Sequence, residues 1–251
     1  MEKYFSVNEQ GNSIKCKIYC DSPKAVKKAV IYGHGFSGHK DNKAAERFAE
    51  YVLKKHRDTA VVTYDAPCHG DDVKKKLSLS DCGAYLGLVT RYVEKQYHTD
   101  ALYAYATSFG GYQFLKYISE NGNPFRKIVL RSPAVHMYEV LSGRIMNPDE
   151  RKALSRNKPV LVGFDRKIRV TQSFLDELKE ADITARDFHA YADDILILHG
   201  TKDEIVPFDG VEAFARQNDI RFIAVENADH RFKDPKTMDI AVKATAEFLE
   251  L

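Results

Sequence analysis

The sequence predicts an α/β protein built on one mostly parallel, eight-stranded sheet with helices on both faces. Three observations carry that prediction. Short apolar runs at residues 29–32, 59–64, 102–106, 128–130 and 195–198 lack polar alternation, as strands buried on both faces do. Stretches with apolar residues at three- and four-residue steps separate most of them, so strand and helix alternate. The chain has 251 residues, 44% hydrophobic and 29% charged, which suits one large soluble domain.

The elements follow in order. Residues 4–8 and 14–20 flank Gly11-Asn12, and Ser13 to Tyr19 alternates polar with apolar, so the first two strands form an antiparallel hairpin. The third strand, residues 29–32, stops at Gly33-His34-Gly35-Phe36. A helix over about 42–55 follows, with Ala45, Phe48, Ala49 and Val52 on one face. The fourth strand ends in Asp65-Ala66-Pro67-Cys68-His69-Gly70-Asp71, a loop by its Pro and Gly content. Tyr85, Leu88, Val89, Tyr92 and Val93 mark the next helix. The fifth strand, its helix and the sixth strand come next.

From residue 133 to 189 the rhythm breaks, with many charges and no buried-strand signal. This segment is expected to be a helical cap inserted after strand six, with a helix over about 170–179. The core is then 1–132 and 190–251. Strands at 195–198 and 221–225, a helix near 211–216 and a closing helix from 238 complete the chain.

Composition narrows the partners. Formal net charge is +2, too small to imply nucleic acid or a membrane surface, and neither is expected as a partner. No apolar stretch is long enough to cross a bilayer, and residues 1–4 lack a signal-like pattern. The cysteines Cys16, Cys20, Cys68 and Cys82 form no C-x-x-C pair, so four reduced thiols and a cytoplasmic location are expected. The sequence does not indicate an oligomeric state.

The chemistry centres on residues 104–112, Ala-Tyr-Ala-Thr-Ser-Phe-Gly-Gly-Tyr. A buried strand turns directly into a helix at Ser108. Such a corner forces the serine into a strained conformation, so the residues two before and two after must be small. Here they are Ala106 and Gly110. Read alone, Ser108 serves equally well as an ordinary helix N-cap.

A nucleophilic serine needs a base and a group that orients the base, both from loops at the carboxyl ends of strands. His230 follows the eighth strand, and Asp203 follows the seventh; Glu204 is the weaker choice for the acid. The backbone N–H groups of Phe36 and Phe109 are placed to bind an oxyanion. His34, Gly35, Ser132, Met137 and Tyr138 are expected to line the substrate pocket, with cap residues forming most of its wall. The outer face of the cap, including Arg151, Lys152, Arg156 and Lys158, is expected in water.

The H-G-F loop, the A-x-S-x-G-G elbow, the H-G-x-x-D-x-x-V-P stretch and the D-H-x-F stretch resemble the α/β-hydrolase superfamily over nearly the whole chain. The set is most similar to small bacterial cinnamoyl/feruloyl esterases and serine-aminopeptidase-like hydrolases. Arg131-Ser132-Pro133-Ala134 departs from their leucine-serine-proline-alanine stretch at Arg131. Ala106 and Thr107 depart from the usual Gly and His of the elbow. The resemblance implies a serine esterase acting on a small-molecule ester, with no metal or organic cofactor. Two alternatives are a peptide or amide hydrolase, for which Asp176, Glu177 and Glu180 are candidates to hold an amino terminus, and a non-catalytic binding protein.

Overall fold

A computed structural model describes residues 2–99, 101–164 and 166–251. Alternation along the strands sorts the interior into two layers. In β3 (Lys28–Gly33), Ala29 and Ile31 face one apolar cluster while Val30 and Tyr32 face the other. In β5 (Leu102–Thr107), Ala104 and Ala106 oppose Tyr103 and Tyr105 in the same way.

β1 (Glu2–Glu9) and β2 (Asn12–Cys20) form the predicted antiparallel hairpin, and β2 lies antiparallel to β4 (Thr59–Tyr64). β3, β4, β5, β6 (Lys127–Arg131), β9 (Ile195–Gly200) and β10 (Arg221–Val225) run parallel, in the sheet order β1-β2-β4-β3-β5-β6-β9-β10. On one face lie α1 (Lys43–Leu53) and α8 (Pro235–Phe248). On the other lie α2 (Leu79–Tyr97), α3 (Phe109–Asn121) and α7 (Phe208–Gln217). Side-chain caps fix where several helices start: the Asn42 oxygen accepts from Ala44 and Ala45 N–H, and Ser78 accepts from Asp81 N–H.

The inserted segment differs from the purely helical cap expected from the sequence. α4 (Met137–Glu139) continues into a π-type turn over Val140–Ile145, and α5 (Pro148–Leu154) begins in an Asn147–Glu150 capping box. Then β7 (Val160–Val162) and β8 (Ile168–Val170) form an antiparallel hairpin. These strands are three residues each, too short for a periodic signal. Val170 therefore closes a strand, and α6 (Gln172–Glu180) starts after it, capped by Thr171. Leu141, Leu154, Val162 and Phe174 share the cluster that holds Ile31 and Ala104, so cap and sheet have a common core.

Candidate active site

Ser108 occupies the corner between β5 and α3 with φ 52° and ψ −118°, and its side chain makes no capping hydrogen bond. The hydroxyl is therefore free for other partners, and the N-cap alternative falls away. The corner is tight: a Cβ on Gly110 would lie 2.6 Å from the Gly33 carbonyl oxygen. The Ser108 N–H donates to the Arg131 carbonyl at 3.0 Å, and its carbonyl accepts from Ala134 N–H at 3.1 Å.

The structure brings Ser108, His230 and Asp203 together. His230 Nε2 lies 3.1 Å from Ser108 Oγ, and His230 Nδ1 lies 2.8 Å from Asp203 Oδ2. The Nδ1–H donates to the carboxylate, which leaves Nε2 as the acceptor facing the hydroxyl. Asp203 Oδ1 also accepts from Ile205 N–H at 2.9 Å and Val206 N–H at 2.8 Å. Burial pushes its carboxyl pKa up, but the bonds from His230 and Val206 and the nearby imidazoles outweigh burial and hold it below the usual value. The Asp203 side chain is fully buried. Glu204 is exposed, and among the described residues its carboxylate accepts the His230 backbone N–H, at 3.3 Å.

Sequence reasoning gave His199 no role. Its Nε2 donates to the Val206 carbonyl at 3.0 Å from a fully buried position and lies 3.3 Å from Asp203 Oδ2, where it acts on the carboxylate through its charge distribution rather than a hydrogen bond. Burial lowers its pKa, partly opposed by the Asp203 charge, and keeps the ring neutral. The signal was visible as the His of H-G-x-x-D, four residues before the acid.

The 34–40 loop passes beside Ser108, where a Cβ on Gly35 would stand 3.2 Å from Ser108 Cβ. His34 does not offer a free nitrogen to a pocket. Its Nδ1–H donates to the Gly35 carbonyl at 2.8 Å, and its Nε2 accepts from Ala66 N–H at 3.1 Å. Gly38 N–H donates to the same Gly35 carbonyl at 2.9 Å. Because the peptide is planar and trans, fixing the Gly35 carbonyl aims the Phe36 N–H the opposite way. Phe109, next after Ser108, packs edge-on against Phe36 at 5.8 Å between ring centroids.

A buried ion pair braces this loop. Asp65 accepts from Lys40 N–H at 2.7 Å, from Lys40 Nζ at 3.2 Å and from Asp71 N–H at 2.8 Å. His69, on the same 65–71 loop, stacks against Phe109 at 6.2 Å and is fully buried, which lowers its pKa to about 3. Cys68, beside it, has its thiol pushed up to about 11 by burial, first, and then by Asp72, so it carries no thiolate at neutral pH.

The remaining expected pocket residues are less engaged. Ser132 is buried with φ 47°, and its Oγ has no hydrogen-bond partner among the described residues. Met137 is buried in the shared core, and Tyr138 is half-buried against it. Neither makes a polar side-chain contact with Ser108, Asp203 or His230. Arg131, the departure from the esterase pattern, is buried with its guanidinium 5.1 Å over the Phe232 ring, two residues past His230. A concavity of about 560 Å³ lies at the opposite end of the sheet between Lys127 and Arg221, away from Ser108.

The sequence matches the family model described as serine aminopeptidase, S33, over residues 24–232. No curated protein sequence matches it. Among solved structures it is similar to Est1E from Butyrivibrio proteoclasticus, determined with ferulic acid bound, at 19% identity, 98% of each chain and a TM-score of 0.75. It is also similar to mouse alpha/beta hydrolase domain-containing protein 10, at 13% identity over 99% of this chain and 98% of that one, TM-score 0.73. The esterase domain of a Rhodothermus marinus protein matches at 15% identity over 99% and 97%, TM-score 0.67. Identities this low speak for the fold. The family model covers most of the chain, and the chain belongs to the serine aminopeptidase S33 family of hydrolases, on the α/β-hydrolase fold.

Proposed function

We propose that the protein is a serine hydrolase that cleaves a carboxylic ester of a small molecule through an acyl-enzyme. Ser108 attacks the carbonyl carbon while His230 Nε2 takes the hydroxyl proton; His230 then returns that proton to the departing alkoxide. Asp203 holds the imidazole in the tautomer with the proton on Nδ1 and stabilises the imidazolium. The N–H groups of Phe36 and Phe109 bind the oxyanion. Water then enters by the same route and releases the acid.

The observation that carries this reading is the continuous Asp203–His230–Ser108 hydrogen-bond chain at 2.8 and 3.1 Å. An aryl or cinnamoyl-type acyl group is the finer form of the proposal. It is supported by the ferulic acid in Est1E and by the aromatic surroundings of Phe36 and Phe109.

The amide-hydrolase alternative needs a free carboxylate to hold an amino terminus. Glu177 is occupied, accepting the Leu79 N–H at 2.7 Å, and Asp176 accepts from Gln172 at 2.8 Å. That weighs against Glu177 and Asp176 as the holders and leaves Glu180, exposed at the end of α6, as the remaining candidate. The non-catalytic alternative leaves the Ser–His contact without a purpose.

The test is labelling with a fluorophosphonate, mapping of the adduct, and turnover of a panel of acetyl, butyryl and cinnamoyl esters beside aminoacyl amides. An adduct on Ser108 with ester turnover supports the reading. Amide turnover without ester turnover moves the reaction to the alternative.

A further inference from the structure

The modest net charge of the chain conceals a strong local asymmetry. Residues 144–169 hold eight Lys or Arg and three Asp or Glu, a net +5, against +2 for the whole chain. The rest of the protein is therefore net acidic. All eight cations, Arg144, Arg151, Lys152, Arg156, Lys158, Arg166, Lys167 and Arg169, are exposed. Their side-chain hydrogen bonds go to backbone carbonyls: Arg151 to Ser142 and Met146, Lys167 to Gly163. Glu150, the acid nearest Arg151 in sequence, is occupied by the capping box of α5.

The same surface carries apolar side chains out into solvent. Leu161 is 61% exposed and Phe164 36%, two of five exposed large apolar residues among those described. In the β7–β8 hairpin Leu161 pairs directly with Arg169, so both stand on the outer face, while Val162 and Ile168 point inward. The hairpin turn touches both sides of the site. A Cβ on Gly163 would fall 2.0 Å from Ser37 Oγ in the loop after Phe36, and the Arg231 guanidinium lies 4.8 Å over the Phe164 ring, next to His230.

We propose that this face, α5 with the β7–β8 hairpin, docks the protein on an anionic phospholipid surface. The cations meet the headgroups, with Leu161 entering the headgroup–acyl boundary. Charge alone would fit a nucleic acid or an acidic polysaccharide as well. An outward leucine among the cations gains nothing from a phosphate backbone or a sugar acid, and it gains from an apolar boundary. The docking rests on the surface and not on the esterase reading, and the two can fail separately.

The experiment is co-sedimentation of the Ser108→Ala protein with vesicles of phosphatidylcholine, with and without phosphatidylglycerol. The inactive variant makes the measurement independent of turnover. Binding is expected only with phosphatidylglycerol and should fall steeply as ionic strength rises to about 0.5 M. Lys152→Gln/Arg156→Gln/Lys158→Gln/Arg169→Gln together should weaken it at least tenfold. Leu161→Ser alone should weaken it severalfold. In the otherwise native protein both sets should leave turnover of a soluble acetyl ester and the melting temperature unchanged, which separates docking from folding. Absence of binding to the mixed vesicles overturns the proposal, as does indifference to Leu161→Ser or to the four charge changes. Tighter charge-dependent binding to duplex DNA or polygalacturonate than to vesicles also overturns it.

Discussion

At the scale of single residues, Ser108 and Asp203 make opposite demands on their surroundings. Ser108 needs a strained backbone, which Ala tolerates as well as Ser does. Ser108→Ala is therefore expected to fold normally, with an unchanged circular dichroism spectrum, and to lose at least about a thousandfold in ester turnover. Asp203 needs burial and several donors. Asp203→Asn places an amide where Ile205, Val206 and His230 all donate and forces the wrong His230 tautomer, so a loss on the order of a thousandfold or more is expected. Glu204→Gln keeps an oxygen that can accept the His230 N–H and should change the rate little. Steady-state kinetics of the two variants checks this; equal losses would return the orienting role to Glu204.

At the scale of elements, the elbow depends on two backbones meeting. Any side chain at residue 110 would strike Gly33 from β3, so Gly110→Ala should displace the start of α3 rather than merely slow the chemistry. The expected result is a lower melting temperature together with loss of fluorophosphonate labelling. α6 reaches the site by a different route. Phe174 packs edge-on against Phe109 at 6.3 Å, and both rings are fully buried. Phe174→Ala should cost about 3–5 kcal/mol in a urea titration, the range for deleting a core phenylalanine. Because Phe109 supplies a proposed oxyanion donor, kcat should fall more than KM rises. Removing the whole cap would open the common core, so point changes are the cleaner probe of its role.

At the scale of the molecule, three buried imidazoles link stability to pH. Burial lowers the pKa of His34, His69 and His199 below the ordinary imidazole value of about 6.5. The unfolded chain binds protons at these positions as pH drops below about 6.5, while the folded protein does not, so stability falls with decreasing pH. For His69 the window runs from about 6.5 down to its folded value of about 3. Each such group costs on the order of a kcal/mol for every pH unit in its window. Asp203, held below the usual carboxylate value, adds a loss of the same sign below about pH 4, as it is protonated. The midpoint of urea unfolding should therefore decrease steadily from pH 7 to pH 5. His69→Gln should flatten that slope, even though it lowers stability at pH 7. A midpoint independent of pH over this range would mean that the imidazoles are hydrated and titrate freely.

Local order in the chain was enough to determine the parallel core and the positions of Ser108, Asp203 and His230. A buried strand must be apolar on both faces, and a nucleophile corner must be flanked by small residues. A loop at a strand's carboxyl end can carry polar chemistry without disturbing the sheet. Each condition acts within a few neighbouring residues, so it left a legible pattern. The tertiary structure decided what depends on contacts distant in sequence. His34 was expected at a pocket wall, but Ala66 and the Gly35 carbonyl occupy both its nitrogens. His199 joins Asp203 only once β9 and the following turn are folded. The three-residue strands of the cap are stable only because they pair with each other and bury Val162 and Ile168 against the common core. Net charge sums over the whole chain, whereas the eight cations between residues 144 and 169 become surface charge only because folding leaves every one of them exposed.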